Sequence, residues 1–540
     1  MPGRFVVLLA VLLLVSSCAE SSADPPDSQP TGAVETPAPL ESSPTPAATA
    51  TLVPEPTATS EATPTAVPAA TAVPEATPTA APEPERDCSP SIPDDLQVSH
   101  ASLAVTSIEI SQAIYDCAHE VGLAFADDPA AISTLMSRGI QGPLLLVGPW
   151  FDIPMMGELG RLAPERIVTA GFDAQVLRYA LADFAFEPIA VNQQAAFSPD
   201  GLSGSRVWLA DNAELGVPLA ALGHQIGVGV FVLSGDLRAL SPETRNAISN
   251  ASEVELLFGL SDAAAWQLEV VRRGDQIPGG GLLMFDAGFD RRLVAMYGHP
   301  SGPGLGVLGE QGPEEGVERL RSIAEGYDAD GSVVLPTLEI IATVASAGAG
   351  EDGDYSAETA RDVIRPWVEL AAANDMYVVL DLQPGRSDYL SQARIYEEFL
   401  RLPHVGLALD PEWRLKPGEV HMRQIGTVDA AEINHVVRWL AGIVREEALP
   451  QKLLILHQFQ LQMITNRHLV ETPPELAVLI HMDGQGPLQA KYDTWNLLTS
   501  RRDADQFYWG WKNFYDEDIP TATPEQVLKV TPVPLFVSFQ

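Results

Sequence analysis

Cysteine is scarce in this chain, with three in 540 residues, and they form neither a CxxC pair nor a Cys/His cluster. The sequence therefore argues against a zinc ribbon and against a thioredoxin-type redox site. Basic residues are also few, 32 Lys and Arg against 72 Asp and Glu, and the formal net charge is −40. Binding to nucleic acid needs a basic face, so the charge argues against nucleic acid as a partner, and against electrostatic attachment to anionic lipid.

The N-terminal segment has the features of a secretion signal. Arg4 precedes the apolar run 5–15, which is too short to cross a bilayer as a helix and ends in small residues before Cys18. We assign residues 1–17 to a signal peptide. Residues 15–18 resemble a bacterial lipobox, in which the chain is cut before the cysteine and the cysteine is lipidated. This resemblance implies that Cys18 anchors the protein in a lipid bilayer on its extracytoplasmic face, and an ordinary signal peptide with an incidental cysteine is the alternative.

Residues 18–86 consist mainly of Pro, Thr, Ala, Ser and Glu. Such a segment cannot bury enough apolar surface to fold, so we expect a disordered stalk. Cys88 and Cys117 lie at the edge of the folded part. In an oxidising extracytoplasmic space we expect them to form a disulfide rather than two free thiols.

Residues 87–285 alternate short apolar runs with amphipathic segments, which predicts an α/β domain with a parallel sheet covered on both faces. Two stretches resemble the bacterial cell-wall-binding repeat of type 2. The first is the strand 142–147 followed by the helix end and strand of 159–171, and the second runs from Asp211 through 217–222 to 230–233. The resemblance implies a wall-binding role, although the family's Arg-Tyr opening is not visible. A generic doubly wound domain has the same apolar pattern.

Residues 286–540 repeat one unit, a short apolar strand that ends in a polar, aromatic or charged residue. Eight such units in about 250 residues predict a (β/α)8 barrel, in which the carboxyl ends of the strands form one mouth. Two helix starts are well marked, at Pro313 and at Asp429, the second with Glu432 in capping-box position. The gaps after strands five, six and seven predict weaker helices. The fold class is thus α/β, with a parallel-sheet domain followed by a TIM-like barrel.

Asp410 and Glu412 close the fourth strand of the barrel. Residues i and i+2 of a strand point to the same face, so both carboxylates are expected at the mouth, where paired carboxylates can hydrolyse a glycosidic bond. This Asp-x-Glu resembles barrel glycoside hydrolases of the chitinase-like and muramidase-like families, although the earlier aspartates of the chitinase pattern are missing. Glu339 and Asp381 end strands two and three and are the next catalytic candidates. The alternative is that Asp410 and Glu412 cap the following helix or bind a loop.

Other polar and aromatic residues at strand ends are candidates for binding substrate. They are Tyr297, His299, His457, Gln458, His481, Asp483, Trp511 and Lys512. Trp413, Trp495 and Trp509 are further candidates for stacking on sugars, although aromatic residues belong more often to a core. The histidines with Asp483 also suit zinc or manganese. Because the first strand lacks a His-x-His pair, we expect substrate-binding or structural histidines, no metal and no cofactor.

Two functions of different class follow from these features. The first is a membrane-anchored, monomeric hydrolase with a glycoside-hydrolase-like barrel that acts on cell-envelope or environmental glycan. The second is a non-catalytic surface module, in which a degenerate barrel and the α/β domain bind wall polymer or a protein. The whole chain resembles secreted lipoproteins of high-GC Gram-positive bacteria, which implies a location at the cell surface.

Overall fold

The computed structural model describes residues 86–540, except for short gaps at 94–95, 97, 99–100, 196, 198–204, 211–212, 234, 258–261, 286–290 and 329–330. The predictions for the signal peptide, Cys18 and the stalk lie outside these residues. Within them, no helix combines the length and the apolar character needed to cross a bilayer. The predicted disulfide is confirmed, since Cys88 and Cys117 are bonded to each other across 29 residues of sequence.

The first half of the described chain alternates helices and strands, as predicted. Its elements, in chain order, are α1 (Leu103–Ile114), β1 (Glu120–Phe125), α2 (Pro129–Arg138), β2 (Leu144–Val147), α3 (Ile153–Leu162), β3 (Arg166–Ala170), α4 (Ala174–Ala180), β4 (Phe186–Ile189), β5 (Arg206–Ala210), α5 (Gly216–Ile226), β6 (Gly229–Val232), α6 (Pro242–Asn250), β7 (Glu253–Leu257) and α7 (Asp262–Arg273). Aspartates begin several of these helices. The side chains of Asp128, Asp152 and Asp173 accept backbone N–H groups in the first turns of α2, α3 and α4.

The strands of this half form two parallel sheets rather than one. The first has the order β2-β1-β3-β4 and the second the order β6-β5-β7. Helix α5 joins them, because Leu219 and Leu222 pack in the core of the first sheet although α5 connects two strands of the second. The expectation of a parallel α/β architecture is confirmed, but the apolar pattern did not reveal that the strands divide between two sheets.

The second half contains the predicted barrel. Its elements, in chain order, are β8 (Arg291–Gly298), α8 (Pro313–Ala324), β9 (Val333–Ala345), β10 (Ser356–Glu358), α9 (Arg361–Ala373), β11 (Tyr377–Leu382), α10 (Tyr389–Ile395), α11 (Glu397–Leu400), β12 (Val405–Leu409), β13 (Val428–Asp429), α12 (Ala430–Glu446), β14 (Lys452–His457), β15 (Ile464–Thr465), β16 (Leu476–Met482), α13 (Leu488–Thr499), β17 (Tyr508–Asn513), α14 (Pro524–Val527) and β18 (Phe536–Phe539).

Eight parallel strands close on themselves in the order β8-β9-β11-β12-β14-β16-β17-β18, with β18 paired to β8. The closed barrel leaves no free strand edge, which confirms the TIM-like fold. The last residues of β9 extend past the barrel and pair with β10 as an antiparallel hairpin.

Side chains alternate between the barrel interior and the helices outside. On β8, Leu293 and Ala295 belong to the interior core, whereas Val294 and Met296 pack in the outer core with the helices. Met284, which precedes β8, belongs to the same interior core. Apolar side chains therefore fill the amino-terminal end of the barrel, and polar ones are left for the carboxyl end.

One flank of the barrel departs from the regular strand–helix alternation. Between β14 and β16 the chain forms only short 3₁₀ turns and β15, and between β17 and β18 the helix α14 has four residues. Weak helices were predicted in both places. The third such prediction was wrong, because α13 after β16 has 12 residues and buries Trp495 and Leu498 against the barrel.

Candidate active site

Each of the eight barrel strands brings one polar side chain to the carboxyl end of the barrel. In strand order they are Tyr297, Glu339, Asp381, Asp410, His457, His481, Lys512 and Ser538. Each continues the inward-facing series of its strand; on β14, for example, Leu453 and Ile455 lie in the interior core and His457 follows at the next inward position. The convergence that strand alternation predicted is thus present. We call these eight residues, with Glu412 and Asp483, the mouth cluster.

His457 lies at the centre of the mouth cluster. Its Nδ1 is 3.0 Å from Oδ2 of Asp483, and its Nε2 is 3.2 Å from Oε1 of Glu339. Oδ1 of Asp381 lies 3.7 Å from the same Nε2. A carboxylate only accepts hydrogen bonds, so an imidazole between two carboxylates donates from both nitrogens and carries a positive charge. Burial disfavours that charge, but the hydrogen bonds to Asp483 and Glu339 raise the pKa of His457 well above its usual value.

Tyr297 connects the first strand to the third. Its hydroxyl donates to Oδ2 of Asp381 at 2.9 Å and accepts from Nε2 of Gln383 at 3.1 Å. The ammonium of Lys512 lies 3.5 Å from the centre of the Tyr297 ring, at cation–π distance. The lysine therefore contributes a positive charge to the cluster while resting on an aromatic face.

Asp410 and Glu412 do not occupy two successive inward positions of a strand, as was predicted. Strand β12 ends at Leu409, and residues 411–413 form a 3₁₀ turn. Pro411 explains the change, because it has no backbone N–H to donate to a neighbouring strand and its fixed φ angle suits the first residue of a helix. Asp410 begins this turn, and its Oδ1 accepts the backbone N–H of Glu412 at 3.4 Å. Asp410 therefore caps this short turn, whereas Asp429 caps the following helix α12, and Asp410 also belongs to the mouth cluster.

Burial and mutual repulsion raise the pKa of three acids of the cluster, Asp410, Glu412 and Asp381. Burial raises the pKa of Asp410 well above its usual value, and the neighbouring charge of Glu412 raises it further. Burial and the charge of Asp483 raise the pKa of Glu412 to about 7. Burial also raises the pKa of Asp381 to about 6, with Glu339 adding to the shift.

The pKa of His481 changes in the opposite direction, since burial and the positive charges of His457 and Lys512 lower it.

Glu412 is the most exposed acid of this cluster. Glu339, Asp381 and His457 are 0% exposed and Asp410 is 1% exposed, whereas Glu412 is half-buried. A proton that enters or leaves the acids of the cluster therefore has Glu412 as its most accessible carrier.

Asp410, His457 and Asp483 are the residues of the cluster that can hold a metal ion, since one ligand atom from each lies within 4.8 Å of the others. A metal would need a free lone pair on His457, and both ring nitrogens already lie at hydrogen-bond distance from carboxylates. The arrangement fits a protonated histidine between two acids better than a metal ligand.

Three candidates from the sequence lie away from the mouth cluster. His299, one residue past β8, is bonded through its two nitrogens to Ser301 and Thr359, at 2.7 and 2.8 Å. Gln458 follows the inward-facing His457 and thus points out of the barrel, where its Oε1 accepts a hydrogen bond from Arg467. Trp511 precedes the inward-facing Lys512, and its buried ring packs against that of Trp495 in the outer core.

The other three tryptophan candidates do not belong to the mouth cluster either. Trp495 and Trp509 are buried and donate to the backbone oxygens of Thr531 and Ala504. Trp413 is half-buried in the turn that carries Glu412, with its ring edge-on to that of His421 at 5.3 Å. Trp413 is thus the tryptophan among the four that stays next to a candidate catalytic residue.

Two polar residues of this site were missed by the sequence analysis. Ser538 bonds Nε2 of His481 at 2.7 Å, and Gln383 bonds the hydroxyl of Tyr297. The sequence contains the information to predict both, because Ser538 is two residues after the interior Phe536 and Gln383 is two residues after the inward-facing Asp381. Extending the period-2 count to the end of each strand finds them.

Comparison with known proteins does not identify a family for this chain. No protein-family model matches the chain, and no curated protein matches it. Among solved structures, it is similar to Cwp6 from Clostridium difficile, with 11% sequence identity and a TM-score of 0.26. The match covers 53% of this chain and 62% of that one, so it spans less than two thirds of Cwp6. A TM-score this low establishes neither a shared fold nor a shared function.

Proposed function

We propose that the barrel is a glycan hydrolase in which Glu412 is the proton donor. The observation that carries this proposal is that Glu412 is the most exposed acid of a buried cluster and has a pKa of about 7. Cleaving a glycosidic bond requires a carboxylic acid that is still protonated near neutral pH and can reach the leaving oxygen.

The other acids supply the second half of this chemistry. Hydrolysis of a glycoside also needs an ionised carboxylate to attack the sugar or to activate water. Asp483 is 6% exposed, lies close enough to raise the pKa of Glu412 and is held by a hydrogen bond from His457, whereas Asp381 adds to the shift of Glu412 from an inaccessible position. In this proposal Asp410 orients the turn that carries Glu412, and Glu339 fixes the second nitrogen of His457.

The test is hydrolysis of peptidoglycan fragments and β-linked glucans by the wild type and by Glu412→Gln. We expect the variant to lose at least two orders of magnitude in kcat with its fold intact, because only the proton transfer is removed. Glu446→Gln, at an exposed glutamate near the end of α12, is the matched control and should retain full activity. A wild type that hydrolyses none of these substrates, or a Glu412→Gln that hydrolyses them normally, would refute the proposal.

The near-complete burial of the cluster favours a second candidate, the non-catalytic surface module. A polymer cannot touch side chains that are 0% exposed, so in this case the mouth cluster would stabilise the barrel and binding would use another surface. Binding of wall polymer by the wild type and by Glu412→Gln with equal affinity, without turnover, supports this candidate over the first.

For either function we propose a location at the cell surface, with Cys18 lipidated in the bilayer and residues 18–86 as the stalk. The support is the apolar run before Cys18 and the Pro-rich composition after it. The confirmed disulfide between Cys88 and Cys117 agrees with an oxidising, extracytoplasmic compartment.

A further inference from the structure

A cavity of about 590 Å³ lies on the flank of the barrel where a helix is missing. Its lining is unusually basic for a chain with 72 acidic and 32 basic residues. It is lined by Gln458, Leu461, Arg467, His468, Ser500, Arg501, Arg502 and Asp503. We call it the flank cavity. It lies between the chain that follows β14 and the turn that connects α13 to β17.

Arg467 is the rigid part of this cavity. It is 6% exposed, and its guanidinium donates to both carboxylate oxygens of Asp503, at 2.9 and 2.7 Å. It also donates to Oε1 of Gln458 at 2.8 Å and to the backbone oxygen of Leu498 at 3.2 Å. These bonds use four of the five N–H donors of an arginine, so one donor on Nη1 has no partner among the described residues.

Arg501 and Arg502 supply further positive charge to the cavity. Both are exposed, and among the residues that the structure describes neither forms an ion pair. Asp503 neutralises Arg467, so the two free guanidiniums leave the cavity with a net positive charge. Its volume lies within the 300–1,000 Å³ that is usual for small-molecule sites.

We propose that the flank cavity binds an oxyanion group, a phosphate or a carboxylate, of an anionic ligand. Guanidinium groups match the geometry of both oxyanions through paired N–H donors. Arg467 would offer its spare donor from a fixed position, and Arg501 and Arg502 would close on the ligand from the rim. The proposal is independent of hydrolysis, because none of these residues belongs to the mouth cluster.

The experiment measures binding of inorganic phosphate, a glycerol phosphate oligomer and an oligogalacturonate to the full chain by calorimetry at low salt. Two variants of equal charge are compared. Arg501→Gln with Arg502→Gln removes the rim of the cavity, and Arg394→Gln with Arg423→Gln removes two exposed arginines elsewhere in the barrel half.

We expect the wild type and the Arg394/Arg423 variant to bind at least one probe equally, and the Arg501/Arg502 variant to bind it at least tenfold more weakly. Preference for the glycerol phosphate oligomer assigns the site to a phosphate, and preference for the oligogalacturonate assigns it to a carboxylate. Absence of binding of all three probes to the wild type, or equal weakening in both variants, overturns the proposal. Neither result depends on whether Glu412 is catalytic.

Discussion

Glu412→Gln should make the protein more stable at pH 8 while leaving its stability at pH 4 nearly unchanged. The pKa of Glu412 in the folded protein is about 7, against an ordinary value of 4.5. A carboxyl whose pKa is raised by folding binds its proton more tightly in the folded chain than in the unfolded one. The free energy of unfolding therefore decreases as the pH rises from about 4.5 to about 7, and this loss is complete above pH 7.

The size of the effect follows from the same shift. Each pKa unit corresponds to about 1.4 kcal/mol, so the shift from 4.5 to about 7 sets an upper limit of roughly 3.5 kcal/mol for Glu412. Because Glu412 is half-buried and solvent screens part of the repulsion from Asp483, we expect about 1–3 kcal/mol. Glutamine has nearly the same shape and no charge at any pH, so the variant avoids this cost.

The measurement is equilibrium urea unfolding of the wild type and the variant at several pH values between 4 and 8. The difference in unfolding free energy should grow from near zero at pH 4 to its full value at pH 8. Glu446→Gln should change stability by no more than about 0.5 kcal/mol, without this trend. If Glu412→Gln destabilises the protein at pH 8, or if its effect does not vary with pH, the proposed protonation of Glu412 is wrong.

Two further predictions concern other parts of the chain. Lys491 and Asp518 form a buried ion pair at 2.7 Å, and Asp518 also accepts the N–H groups of Gly486 and Phe514. Asp518→Ala should therefore cost about 3–5 kcal/mol in urea unfolding, and the double variant with Lys491→Met should cost less than the sum of the single changes; additive costs would contradict the pairing. Cys18→Ala should move the protein from the membrane fraction to the soluble fraction of cells labelled with palmitate, and continued labelling would place the anchor elsewhere.

The barrel was predictable because its signal is local and repeated. Each unit contains enough apolar residues for one strand, and its last polar residue marks the carboxyl end. The helix α12 was predictable for a similar reason, since Asp429 caps it and its buried residues recur at helical spacing. The division of the first half into two sheets was not, because strands of either sheet have the same apolar pattern.

The candidate site was predictable in its membership but not in its geometry. Glu339, Asp381 and His457 were candidates because each ends an apolar strand, and the structure brings them together. Counting alternate residues, as for Asp410 and Glu412, assumes that the strand continues, and it fails at Pro411, where the chain turns. Gln458 and Trp511 were misplaced because each adjoins an inward-facing residue and therefore faces the opposite way.

The composition of the mouth cluster itself argues for a function. Buried charged groups can often be replaced by apolar side chains of similar volume at no cost in stability, so folding alone does not require them at the end of this barrel. His457 and the two acids bonded to it are inaccessible or nearly so, and therefore they do not themselves form a polymer-binding surface. Polar groups that are buried and mutually bonded, with one partly exposed acid among them, are suited to holding and transferring a proton. This is why the hydrolase proposal, with Glu412 as the donor, takes precedence over the binding module.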